Sequence, residues 1–343
     1  GGGGLTSTGV GGHVLARSAS SSVDVGSATA HDGGGTGGDV TLDGATTTTL
    51  RNAATADRDV QVLAQNDIIA GSSTINAGRD AVVSANTGNA AVGTVLAGDD
   101  IAIRALTGSV TATGDVKAGQ TRAAGDPDLD GAADALVGTM VGHDLDIKAQ
   151  TVAIAGDVAA GRTADAGETL GAAQLASDVL VTATNPDAAP GVAALQLATR
   201  AGKTVSAHQD IDLVTTAAAT ASITTGGLAA GRDVAVYSPT GDISLGSALA
   251  GDDIVLRAPL GAISVTGDVK AGRDFPGMTA VDAPGAADAL NAAIPFKDFD
   301  GNPATIFSVV GFDVNIASQA VRIGGTTIAG RQPSTDSPDT AGP

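Results

Sequence analysis

AGRDAVV at Ala77–Val83, AGDDIAI at Ala97–Ile103, AGRDVAV at Ala230–Val236 and AGDDIVL at Ala250–Leu256 are four statements of one phrase. VGHDLDI at Val141–Ile147 and VGFDVNI at Val310–Ile316 are looser versions of it. Each begins with a glycine corner and an aspartate, then alternates apolar and other residues with the period of two that marks a half-buried strand. The aspartates step from Asp39 to Asp59, Asp80 and Asp100, intervals of 20, 21 and 20, and Asp233 to Asp253 is again 20. A Thr-Gly turn follows (Thr107-Gly108, Thr240-Gly241), then a second strand such as Val110-Thr111-Ala112. Each unit therefore reads strand–turn–strand–turn. Such a unit cannot bury its apolar face alone, but copies stacked on one another can. The expectation is an all-β fold, a right-handed parallel β-helix with coils of about 20 residues, its hand set by the rule for parallel crossovers. Roughly 14 coils at about 4.8 Å each would make a rod of about 65–70 Å.

A longer repetition lies above the first. Residues 77–119 align without gaps to 230–272, with 24 of 43 positions identical. Gly131–Leu136 recurs as Gly285–Leu290. Block duplication is easy for a solenoid, because each coil touches only its neighbours. The chain reads as a single β-helix over 1–331, duplicated as 77–162 and 230–331. Two loop insertions fall at about 120–140 and 274–309, and 332–343 forms a disordered or linker tail rich in Pro, Ser and Thr.

Composition fits thin layers. Of 343 residues 49 are Gly, 43% are apolar and only 2% aromatic, so the core must be narrow and built from Ala, Val, Ile and Leu. The apolar content is too high for a disordered chain. Eighteen basic against 37 acidic residues give a net charge of −19. That balance argues against nucleic acid and anionic membranes, both of which require clustered Lys and Arg. Cysteine is absent, which excludes disulfides and thiolate metal sites. No apolar run is long enough for a membrane span, and no signal peptide is visible ahead of Gly1.

Corner charges suit the stack. Arg79 and Asp99 are 20 apart, as are Arg232 and Asp252, so opposite charges can face each other between coils. Asp80, Asp100, Asp233 and Asp253 are expected to fold back on backbone N–H groups of their own corner. In the first insertion, Asp126, Asp128 and Asp130 precede Gly131 with the alternate spacing of a calcium loop. The twelfth position of that loop is Val137 instead of Glu, so the motif is incomplete, and a solvated acidic loop is the competing reading. No cofactor is required by this reading, and calcium is the one candidate ion. Phe296, Phe299 and Phe307 belong to a cluster holding all five phenylalanines. They form either a local mini-core or a partner contact. Catalytic signals are missing: His13, His31, His143 and His208 lack metal-ligand spacing, and no G-x-S-x-G occurs. AGKT at Ala201–Thr204 lacks the upstream glycine of a phosphate loop. The chain is not expected to be an enzyme; a polysaccharide-active β-helix is the remote alternative.

The AGRDV-x-V and AGDDI-x-L phrases, with intervening TG-x-I-x-V, resemble the β-helical repeats of filamentous-haemagglutinin-type exoproteins over roughly Gly38–Arg331. That resemblance implies the shaft of a secreted or cell-surface adhesin of a Gram-negative bacterium. Its partner would be a receptor or glycan on a host or neighbouring cell. The alternative is self-association into extracellular, biofilm-type fibres. The Asn-Pro-Asn-type motifs of the family's secretion domain are absent, NPD at Asn185 being the nearest string.

Overall fold

A computed structural model describes residues 3–8, 12–31, 37–119, 143–161, 177–184, 193–216, 221–272 and 313–330. Among these, all 24 regular elements are strands, joined into one sheet in which every pairing is parallel. The protein is a parallel β-helix. One column of residues follows the whole stack: Val14, Val40, Val60, Ala81, Ile101, Leu145, Val179, Ile211, Val234, Ile254 and Val314, each the register partner of the next. Eleven rungs at about 4.8 Å span about 48 Å.

Fewer rungs are described than the length suggests, because some steps are long. Between register partners the chain advances 20 or 21 residues in regular layers (Val40 to Val60, Val60 to Ala81, Ala81 to Ile101, Val234 to Ile254). It advances 44 from Ile101 to Leu145, 34 from Leu145 to Val179, 32 from Val179 to Ile211 and 60 from Ile254 to Val314. The insertions expected at about 120–140 and 274–309 fall within the first and last of these steps and lie outside the described residues. The sequence reading placed none in the two steps between, whose Ala-, Thr- and Asp-rich residues differ little in composition from the coils. In three of the four layers the third strand ends at a glycine with positive φ, Gly119 (74°), Gly161 (105°) or Gly272 (74°).

Each layer has three faces, where the sequence suggested two. Strand Ile101–Ala112 serves two of them: Ile101–Ala105 pairs with Ala81–Ala85, and Val110–Ala112 pairs with Ala90–Val92. Val116–Lys117 forms the third, on Val95–Leu96. The third strand went unread because it is two to four residues long, too short to display alternation. Inside, alternate residues of every face interdigitate in one continuous apolar file that includes Leu42, Ile75, Ile103, Leu145, Leu195 and Ile211, all fully buried. Alanine supplies much of the rest, as a cross-section of three short walls demands.

Corners hold the glycines by contact. A Cβ on Gly93 would lie 2.2 Å from the Ser73 carbonyl oxygen and 2.8 Å from its nitrogen, both backbone atoms of the neighbouring layer. On Gly71 a Cβ would meet only the Ala91 methyl, at 4.0 Å. Gly93→Ala is therefore expected to destabilise the fold by about 1–3 kcal/mol, and Gly71→Ala by less than about 0.5 kcal/mol. Urea titrations of both variants check this; equal effects would contradict the stacking geometry.

Candidate functional site

The aspartate of the repeated phrase sits at one edge of the prism and forms a ladder. The Oδ1 atom of each accepts the backbone N–H of the equivalent aspartate in the next layer. Asp39 accepts from Asp59 (3.4 Å), Asp59 from Asp80 (3.5 Å), Asp80 from Asp100 (3.2 Å), Asp100 from Asp144 (2.7 Å) and Asp144 from Asp178 (2.8 Å). Asp178 accepts from Asp210 (3.0 Å), Asp210 from Asp233 (3.2 Å), Asp233 from Asp253 (2.9 Å) and Asp253 from Asp313 (2.8 Å). The expectation that these side chains cap their own corner is corrected: they reach one layer onward. The physical reason is that the corner's own N–H groups already pair with carbonyls of the layer below, as Arg79 N–H does with Arg58 O. The other two edges use the same device in shorter runs: Asp67 accepts from Asn89, whose Oδ1 accepts from Ser109 N–H, and Asp115 accepts from Asp157, which accepts from Thr204 N–H.

Carboxylates stacked at layer spacing repel, by about 1 kcal/mol per pair in water and several-fold more near a protein surface. Guanidinium groups interleave to offset this. Arg58 donates through Nε and Nη2 to Asp39 (2.7 and 2.5 Å) while lying 3.5 Å from Asp59. Arg79 does the same to Asp59 (2.8 and 2.6 Å) and lies 3.2 Å from Asp80. Arg232 forks onto Asp210 and lies 3.5 Å from Asp233. Beside the forward pairing with Asp99 and Asp252 that the sequence suggests, Arg79 and Arg232 fork one layer back, each arginine preceding its own aspartate and straddling two ladder carboxylates.

Between Asp100 and Asp210 no layer carries an arginine before its aspartate; the positions hold His143, Ser177 and Gln209. His143 is fully buried with Nδ1 2.9 Å from Asp99 Oδ1, and its Nε2 has no hydrogen-bond partner. Ser177 Oγ accepts the His143 N–H at 3.1 Å. Burial, and then the charge of Asp210, push the Asp178 carboxyl up to about 6, against the Asp210 N–H and Arg232. Asp212, facing outward two residues after Asp210, has a buried Oδ1 without a partner. Burial, followed by Asp210 and Asp178, pushes it up to about 8. Burial and the nearby His143 lower His208, whose ring packs where a Cβ on Gly161 would come within 2.6 Å. His143 and His208 are 65 residues apart in sequence, a separation that the long steps on either side of Val179 inflate.

On the flank between the second and third faces lies an open groove of about 490 Å³. The turn from Ala198 to Lys203 overhangs it, with Gly226, Gly227 and Gly246 in the wall. Ala198 has φ 50°, the one non-glycine residue with positive φ among those described, and Gly202 has φ 76°. A left-handed alanine costs on the order of 1 kcal/mol. The Lys203 ammonium lies 2.9 Å from Asp157 and 3.2 Å from Asp115, which ties the turn to the third-edge ladder. Desolvation raises the Asp115 carboxyl, but hydrogen bonds from Lys117, the Asp157 N–H and Lys203 outweigh it and hold the group down at about 2. The lysine of the AGKT string thus serves carboxylates of its own chain.

No family model matches the chain, and no curated protein or solved structure matches it. The sites read from sequence, Asp126, Asp128 and Asp130 for calcium and Phe296, Phe299 and Phe307 for a partner, lie outside the described residues. Among the described residues no group of three or more His, Asp or Glu side chains is placed to hold a metal ion, and no helix is long and apolar enough to cross a membrane. The ladder and its uncompensated stretch were findable in principle from the aligned phrases; the groove was not.

Asp100→Ala removes the acceptor for the Asp144 N–H and is expected to cost about 1–3 kcal/mol, while Asp100→Asn keeps Oδ1 and costs less. Thermal melts that rank the two equally would discard the ladder's role. A second expectation concerns pH. Asp212 holds its proton in the folded chain up to about 8, far above the ordinary 3.8, so folding loses stability as pH rises between those values. Asp212→Asn should therefore raise Tm more at pH 8 than at pH 5, and a gain equal at both pH values would refute the assignment.

Proposed function

We propose that this chain is the shaft of a secreted, adhesin-type exoprotein at the outer surface of a Gram-negative bacterium. It carries no catalysis of its own and holds a contact region away from the cell, toward a receptor or glycan. The observation that supports this best is the unbroken column from Val14 to Val314, with the aspartate ladder beside it from Asp39 to Asp313. A stack of this kind gains length by whole layers and carries position along its axis, since each layer needs only its two neighbours. The likeness of the AGRDV-x-V and AGDDI-x-L phrases to filamentous-haemagglutinin-type repeats points the same way. Asp126, Asp128 and Asp130 as calcium ligands, and Phe296, Phe299 and Phe307 as a contact patch, belong to this proposal.

A second reading, a subunit of an extracellular fibre, draws on the last described layer. There Val314, Ile316 and Ile323 are only half-buried and Val321 is 50% exposed, an apolar floor on which a further layer can stack. Negative-stain micrographs of the purified chain, with and without chelator, decide between the two. Discrete rods that bind cells when coated on beads are expected for the shaft. Long filaments would move the assignment to the fibre, and rods that never bind cells would remove the adhesive part of the proposal.

A further inference from the structure

The groove on the flank is built by a departure from the stacking rule. Register partners that bracket this corner are separated by three residues in one layer, from Ile154 to Val158, and by two in each of two others, from Thr225 to Leu228 and from Leu245 to Ala248. In the layer between, Leu197 and Val205 are separated by seven, residues 198–204. A turn four or five residues too long thus projects over two corners shortened to a pair of small residues. Gly226 makes the close approach possible: a Cβ there would lie 2.4 Å from the Lys203 carbonyl oxygen and 2.7 Å from that of Ala198.

The lining of this groove differs in charge from the chain as a whole. The chain carries a net charge of −19, yet none of the lining residues is acidic. Arg200, within the turn, is exposed and has no carboxylate partner among the described residues. Lys203, three residues on, is held by Asp115 and Asp157, so Arg200 is left as the available cation. Thr199, Thr204, Thr224 and Ser247 add hydroxyls to the walls. The turn is fixed before any ligand arrives: Arg200 N–H donates to Ala155 O at 3.2 Å, Lys203 N–H to Arg200 O at 3.1 Å, and Thr204 N–H to Asp157 Oδ1 at 3.1 Å. A preformed site of this size avoids the ordering cost that weakens flexible ones.

We propose that this groove binds the acidic sugar unit of a glycan, with its carboxylate on the Arg200 guanidinium and its ring hydroxyls on the threonine, serine and glycine-backbone walls. A guanidinium matches a carboxylate through two parallel N–H donors. The walls are mostly carbon, from alanine, glycine and the threonine methyls, with a few hydroxyls among them, which suits the C–H face and hydroxyl rim of a sugar ring. The groove has no aromatic platform, so a single sugar unit binds at about millimolar Kd. The site is a property of the rod's flank and stands equally for a shaft or for a fibre subunit.

The test uses the intact chain and saturation-transfer NMR with sodium glucuronate, glucose and sodium acetate as probes. Glucuronate is expected to bind, with glucose and acetate at least tenfold weaker. Arg200→Gln, on an exposed turn, should weaken glucuronate by about tenfold or more, while Arg322→Gln, which removes another exposed cation, should leave it unchanged. Equal loss in both variants would reduce the effect to general charge attraction. Acetate binding as well as glucuronate would overturn the sugar part, and no glucuronate binding by the unaltered chain would overturn the proposal. Circular dichroism of each variant separates lost binding from lost fold.

Discussion

Everything in this protein depends on a carboxylate oxygen meeting a backbone N–H in the layer that follows. A parallel strand stack has no intrinsic reason to stop sliding, because neighbouring rungs of Ala, Val and Ile offer similar floors. The aspartate edge supplies that reason. A slip of one residue would break the Oδ1 bonds along the edge and turn the apolar file outward. Hydrophobic burial provides the bulk of the driving force, and the acid edge selects which stacking is realised. Interleaved arginines extend the selection, since Arg58, Arg79 and Arg232 each sit between two particular carboxylates.

That same edge is not uniform. Where arginine is present, the ladder is neutralised locally; from His143 to Gln209 it is not, and there the titrations of Asp178, Asp212 and His208 depart from ordinary values. Buried histidine and carboxylate push in opposite directions as pH changes. Raised carboxyls favour the fold on the acid side, whereas a histidine held below its normal range opposes it there. Among the described residues the raised carboxyls lie in the middle of the stack, which is also the part with two successive long steps between rungs.

How much of this was legible beforehand varied with length scale. The Gly-x-Asp phrase announced layers and their spacing, since a period of two inside a period of twenty has few physical explanations. The third face was hidden because two-residue strands such as Val116–Lys117 show no alternation. The ladder's direction was hidden because a sequence shows which polar groups share an edge but not which donors are already engaged. Asp80 could have bonded locally; only the backbone pairing at the corner rules that out. The groove arises from a mismatch between turn lengths in adjacent layers, and reading it requires the register of Leu197 against Ile154 and Thr225.

Three of the four long steps between register partners, from Ile101 to Leu145, Leu145 to Val179 and Ile254 to Val314, span the same edge, between Gly119, Gly161 or Gly272 and the next ladder aspartate. The fourth, from Val179 to Ile211, and the long turn at residues 198–204 use other corners. Register is resumed after steps of 32, 34, 44 and 60 residues alike, so the rungs tolerate additions of very different length. New contact chemistry can therefore be added between layers without redesigning the scaffold, and most readily along the aspartate edge.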